Sequence, residues 1–247
     1  MTTVLTDTHR YPLQLHDNHL VAEIGGHFAL LDTGVPRSVS HTVREFDFLG
    51  ETVQPSRHFT GVDLETISQL VGCSIDILLG LDCLASCYWR LEDLESENPQ
   101  LVTSSSPELI SLSNSLRTQD WSPWPIIQME IEAIVCQAYL DTGAKLGYVD
   151  MSDEDILGQI AQRSTQPATD FWPLIGEFET HLRDVEVSIA DYQLNLPLGE
   201  LPAEPGLSFD LLGVKAILGV DVLRQLAVEF ALPDGQIYFG PVAPTAG

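Results

Sequence analysis

The sequence predicts an all-β fold, mostly strand with a few short helices, on three observations. Short runs of alternating or β-branched and aromatic residues recur along its 247 positions. Gly, Pro and Asp interrupt those runs, and helical periodicity is confined to brief stretches. The first strands are read in HLVAEIGGHFALLD (19–32) and the next in IIQMEIEAIVCQAYLD (126–141). RDVEVSIADYQLNLPL (183–198) and LAVEFALPDGQIYFG (226–240) follow, the last with a Pro-Asp-Gly turn between two apolar arms that marks a hairpin. Two short helices are expected. One lies within SPELISLSNSL (106–116), with Ser106 as cap and Pro107 in the first turn; the other lies within SDEDILGQIAQ (152–162), with Ser152 as cap.

Composition narrows the function. The formal charge of −25, from 11 Lys and Arg against 36 Asp and Glu, repels phosphate backbones and anionic lipid. A nucleic-acid or membrane-surface partner is therefore not expected. The acidity is read either as solubility or as attraction of cationic and neutral polypeptides. No stretch approaches the roughly 20 apolar residues of a membrane span. The first twenty residues, opening on Met, lack the basic start and apolar core of a secretory signal. Cys73, Cys83, Cys87 and Cys136 show no metal-ligand spacing and are read as buried or free thiols of a reducing compartment, with the cytoplasm as the default. His16 and His19 in HDNH are too few for a metal site, and neither a metal nor a cofactor is expected.

The chain divides in two. Residues 94–125 are rich in Ser and Pro and read as a linker, with the first helix in its middle, between strand-rich parts at 1–93 and 126–247. A shift of 109 positions lays EIGGHFALLDTGVPRSVS (23–40) on EAIVCQAYLDTGAKLGYV (132–149), superposing Asp32-Thr33-Gly34 on Asp141-Thr142-Gly143. A second pair follows in the same order: IDILLGLDCLASC (75–87) lies on VKAILGVDVLRQL (214–226), sharing Leu79-Gly80 with Leu218-Gly219 and Asp82 with Asp221. Two ordered blocks make an internal repeat. The blocks are 46 positions apart in the first half (Gly34 to Gly80) and 76 in the second (Gly143 to Gly219), leaving the second room for an extra β-hairpin.

A strand that runs into Asp-Thr-Gly delivers a carboxylate at its end, and the Gly permits a tight turn and close backbone approach. Two such carboxylates facing each other cannot both ionise easily, so the pair retains one proton over a range of pH. One member can then take a proton from a bound water while the other protonates a carbonyl oxygen. The aspartic-protease dyad is the established example of such coupling.

LLDTG with ILLGLD, and YLDTG with AILGVD, resemble the paired motifs of the aspartic-peptidase superfamily, over most of the chain outside 94–125. The size resembles two retropepsin-like lobes fused in one chain. The resemblance implies a bilobal closed-barrel fold with Asp32 and Asp141 as catalytic dyad at the lobe interface, without a dimer. It implies that Thr33 and Thr142 hydrogen-bond across to the opposite lobe, and that Leu79-Gly80 and Leu218-Gly219 pack behind the Asp turns. The reaction implied is endopeptidase hydrolysis of an extended polypeptide.

After each Gly stands Val35 or Ala144, as in retropepsins, where pepsin-like sites have a hydroxyl. Neither side chain can donate to a carboxylate, so the dyad is expected to titrate higher than a pepsin dyad. A flap is expected in the second half around Phe171 and Trp172 to Phe178, and in the first half a short one at most, near 56–63. Phe171 and Trp172 are otherwise packing aromatics. Arg37 is expected to be solvated, and Asp82 and Asp221 to be structural caps. Two further readings compete. One is a peptide-binding module of the same fold with little activity; the other is a two-carboxylate glycosidase, which leaves the repeated Leu-Gly block unexplained.

Overall fold

A computed structural model describes residues 8–58, 63–119, 124–172, 175–202 and 212–242. The chain is mostly β, as its alternating pattern predicts. All four strand pairs read from the sequence are present as antiparallel neighbours.

Strands β1 (Thr8–His16), β2 (His19–Ile24) and β3 (His27–Leu31) form an antiparallel meander. The β1–β2 turn places Asp17 and Asn18 at φ 42° and 64°, the left-handed pair a two-residue hairpin requires. A small hairpin, β4 (Phe46–Phe48) with β5 (Glu51–Val53), precedes helix α1 (Leu64–Val71). Asp63 caps α1 through Glu65 N–H, and Gly72 ends it at φ 79°. The buried face of α1 (Leu64, Ile67, Val71) packs with Leu30, Val35 and Leu78. β6 (Ile77–Leu79) then runs parallel to β3, with Leu31 beside Leu79, and leads into the short helix α2 (Leu81–Leu84).

The second half repeats the plan. β10 (Ile126–Ile131) and β11 (Ile134–Leu140) form a hairpin, and β16 (Val214–Leu218) lies parallel to β11, with Leu140 beside Leu218. Helix α4 (Val220–Gln225) follows β16 as α2 follows β6. Between the two blocks come β12 (Gly147–Val149), α3 (Glu154–Ile160), β13 (Gln166–Trp172), β14 (Gly176–Ile189) and β15 (Tyr192–Glu200). The order β10-β11-β16-β12-β15-β14 returns to β10, which closes a six-stranded barrel, and β13 continues outward along β14. The surplus residues thus do form a hairpin, β13–β14. In the first half β6-β3-β2-β1 run on into a nine-stranded sheet instead.

That sheet joins the halves. β7 (Tyr88–Glu92) pairs antiparallel with β17 (Leu226–Ala231), setting Trp89 against Phe230, whose rings stack 3.6 Å apart at 7°. β8 (Gln100–Ser104) flanks β7, and β18 (Gln236–Pro241) flanks β17. The 94–125 stretch supplies β8 and the edge strand β9 (Asn114–Arg117), with a 3-10 turn at Pro107–Leu109. Ser106 caps that turn, so the helix expected there is a single turn. The Ser-rich composition reads as loop because its hydroxyls serve turns: Ser104 accepts from Ser106 N–H, and Ser106 from Glu108 N–H. Buried Glu229 of β17 holds the rest, accepting from Ser111 N–H, Ser111 Oγ, Leu112 N–H and Arg90.

At α3 the cap is Asp153, which accepts from Asp155 and Ile156 N–H, and not Ser152. Ser152 instead donates to Asp150, which Lys215 also engages. Among the described residues no helix is long and apolar enough to cross a membrane.

Candidate active site

Both Asp-Thr-Gly motifs sit at strand ends for one local reason. β3 and β6 lie parallel, and the ladder continues one residue further as Asp32 N–H donates to Leu79 C=O at 3.0 Å. β11 and β16 do the same, with Asp141 N–H donating to Leu218 C=O at 2.9 Å. The loop after each Asp folds over the following Leu-Gly. A Cβ on Gly80 would come within 2.6 Å of the Arg37 carbonyl carbon, and one on Gly219 within 2.5 Å of Leu146 O. Val35 C=O accepts from Leu81 N–H and Ala144 C=O from Val220 N–H, which seats α2 and α4 against the loops.

The loops meet through their threonines, both fully buried. Thr33 Oγ1 donates to Leu140 C=O at 2.8 Å and accepts from Thr142 N–H at 3.0 Å. Thr142 Oγ1 donates to Leu31 C=O and accepts from Thr33 N–H, both at 3.1 Å. The four bonds are reciprocal, and each crosses between the halves.

They bring Asp32 and Asp141 face to face. Within each loop the Gly N–H donates to its own carboxylate, Gly34 to Asp32 Oδ1 at 2.7 Å and Gly143 to Asp141 Oδ1 at 2.9 Å. Only glycine fits at either position. A Cβ on Gly34 would lie 2.8 Å from an oxygen of Asp32 and 2.9 Å from one of Asp141, and a Cβ on Gly143 2.5 Å from Asp32 Cγ. Burial raises both carboxyl pKa values, and the Asp141 charge raises Asp32 further: Asp32 to about 8 and Asp141 to about 6. The two values belong to the pair and not to either residue alone.

The carboxylates open into a cleft of about 890 Å³. Its first-half wall is aliphatic, made by Leu30, Val35, Leu78 and the α1 residues Ile67, Leu70 and Val71. The second-half wall carries Trp124, Tyr139, Tyr148, Phe171 and Trp172. Phe171 and Trp172, at the end of β13, therefore do border the cleft. Trp172 also packs against the cluster of Ile126, Tyr139 and Tyr148, so its two readings are compatible. The hairpin is latched to the barrel: Tyr148 OH donates to Asp170, and its ring lies 5.9 Å from Phe178. The first-half flap expected near 56–63 falls largely on residues 59–62, outside the described residues; His58 borders the cleft.

The remaining predicted residues have structural places. Asp82 accepts from Ser38 N–H, Ser38 Oγ and Cys83 N–H, pinning the first loop to α2. Asp221 accepts from Asn18, whose amide also donates to Lys145 C=O at 2.6 Å, while Lys145 pairs with Asp17 at 2.9 Å. The β1–β2 turn thus straps the opposite Asp-Thr-Gly loop. Arg37 is exposed, as expected. The four cysteines are free thiols, and burial pushes Cys83, Cys87 and Cys136 up to about 12. Among the described residues no group of three or more His, Cys, Asp or Glu is arranged to hold a metal.

Sequence reading missed Asn18, Tyr148 with Asp170, and Tyr139, whose hydroxyl donates to Thr33 C=O. Tyr139 was visible as the counterpart of Leu30 under the 109-position shift. The sequence matches no protein-family model and no curated relative.

Proposed function

We propose that the chain is a retropepsin-like aspartic endopeptidase, with two lobes fused so that one chain forms one site. The observation that carries this reading is the reciprocal threonine grip holding two half-buried carboxylates together at the floor of a cleft. Two carboxyl groups sharing one proton suit hydrolysis without a covalent intermediate. The ionised Asp removes a proton from water as its oxygen attacks the peptide carbonyl carbon, while the protonated Asp gives its proton to the carbonyl oxygen. Collapse of the resulting gem-diol returns a proton from a hydroxyl to one carboxylate; the amide nitrogen takes a proton from the other and leaves as an amine. Water is consumed, one carboxylic acid and one amine form, and the pair again holds one proton.

The substrate class fits a cleft of about 890 Å³ with aliphatic and aromatic walls, in a protein whose charge of −25 favours neutral or cationic polypeptides. The bilobal reading draws support from the repeated strand-Asp-loop-strand-helix plan. The test is cleavage of an unfolded protein across pH 3–8 by the wild type, Asp32→Asn and Asp141→Asn. Cleavage strongest in the window of about 6 to 8 where the pair holds one proton, reduced on the order of 10³-fold in either variant, is expected. Cleavage that survives in both variants, or binding of peptide without any turnover, would reject it.

A further inference from the structure

The two Asp-Thr-Gly loops differ two positions before the carboxylate, where the first has Leu30 and the second Tyr139. Both side chains border the cleft, at equivalent points on β3 and β11. The buried Tyr139 reaches across to the other half, and its hydroxyl donates to Thr33 C=O. That carbonyl shares a peptide group with Gly34 N–H, the donor to Asp32 Oδ1 at 2.7 Å, which also bears on Asp141. A peptide whose carbonyl accepts a hydrogen bond presents a more polarised N–H, so bonds in series strengthen one another. Leu30 has no hydroxyl to offer the Thr142–Gly143 peptide.

We propose that Tyr139 is a positioning residue for the dyad: through the Thr33–Gly34 peptide its hydroxyl orients and strengthens the N–H donated to Asp32, making the two carboxylates inequivalent. Donation to an ionised carboxylate favours that form, so loss of the hydroxyl raises the pH at which Asp32 takes up its proton. Other charged or titratable groups face the same cleft. From the second half they are Lys145, Tyr148, Asp170 and Glu177; from the first, Asp17, His19 and His58. A Tyr139→Phe exchange leaves all of them in place, so a difference between the two titrations reports the hydroxyl.

The consequence for rate rests on the peptidase reading, whereas the titration does not. Carboxyl carbon NMR of Asp32 and Asp141 in the full chain should show the Asp32 titration of Tyr139→Phe on the order of half a pH unit above wild type. In turnover, kcat should fall about 3- to 10-fold with KM unchanged, and the limb of the pH profile that Asp32 sets should move up with the titration. Superimposable titrations would overturn the proposal. Should Tyr139→Phe fail to fold, 3-fluorotyrosine placed at 139 supplies a more acidic donor. The Asp32 titration should then move down, and no movement would overturn the proposal equally. A wild type that never cleaves peptide would sink the peptidase reading alone.

Discussion

The two halves of the chain hold their carboxylates alike and approach the cleft differently. Each uses a parallel strand pair, β3–β6 or β11–β16, to carry an Asp to the same level as a Leu-Gly. Around that common core, the first half sets an α-helix against the cleft. The second sets the β13–β14 hairpin there, latched through Tyr148 and Asp170. The hairpin turns also act differently: Asn18 of the β1–β2 turn straps the opposite Asp-Thr-Gly loop, whereas Glu132 of the β10–β11 turn accepts from Arg163 and Glu186 N–H within its own half. Once both copies sit in one chain, the parts that form the site stay matched while the parts that border it are free to specialise.

The comparison can be broken first at its matched core. Asp32→Asn and Asp141→Asn should each remove nearly all turnover, on the order of 10³-fold; a large difference between them would show that the carboxylates do not act as a pair. Next come the threonines. Thr33→Val and Thr142→Val each leave an opposing N–H and C=O buried without partners, so each should cost about 1–3 kcal/mol for every group left unsatisfied. Urea unfolding of the two single variants and the double variant should show losses that are equal and less than additive, because both act on one network. Additive losses would mean that the four bonds form independently.

A further effect concerns pH. The folded carboxyl pKa values, about 8 for Asp32 and about 6 for Asp141, lie above the ordinary 3.8. Between roughly pH 4 and pH 8 the folded pair therefore binds more protons than the unfolded chain. Its stabilising share is complete at the acid end and is lost as pH rises through 6 and 8. The double Asn variant should gain stability over wild type as pH is raised across that range. A stability difference between the two proteins that stays constant with pH would show the pair is not strained by its charge. The mildest test addresses the unmatched walls. Leu70→Ala should weaken selection for aliphatic side chains on one side of the scissile bond, and Trp172→Ala selection for aromatic ones on the other, each about 10-fold in kcat/KM. Sequencing of cleavage products from a peptide mixture measures both, and identical shifts in the two variants would show the walls act as one surface.

Much of the matched core was legible because it is local. The strand ending in Asp-Thr-Gly and the later Leu-Gly are contiguous strings that occur twice in order, and alternation marks β2–β3, β10–β11, β14–β15 and β17–β18. What joins the halves was not legible. The pairing of Trp89 with Phe230, the strap from Asn18 to Lys145 and Asp221, and the bond from Tyr139 to Thr33 link residues 106 to 203 positions apart. Such contacts leave no periodic trace in sequence. Residues 94–125 looked like linker because Ser and Pro favour turns, yet β8 pairs with β1 as well as with neighbouring β7, and β9 pairs with β18, so that β1 and β18 come from far along the chain. At α3 two neighbouring residues could each cap, and Asp153 takes the helix because Ser152 is held by Asp150.

The pairing of β7 with β17 also sets when the two halves can share one sheet. β7 is made early, but its partner comprises residues 226–231, and β18 closes over that strand from 236–241. On the ribosome, a chain that has emerged only through α4 has both Asp-Thr-Gly loops outside the exit tunnel. It still lacks the strands that bind its halves into one sheet. The sheet that joins the halves is thus complete only once residues 226–241 have followed, well after both Asp-Thr-Gly loops.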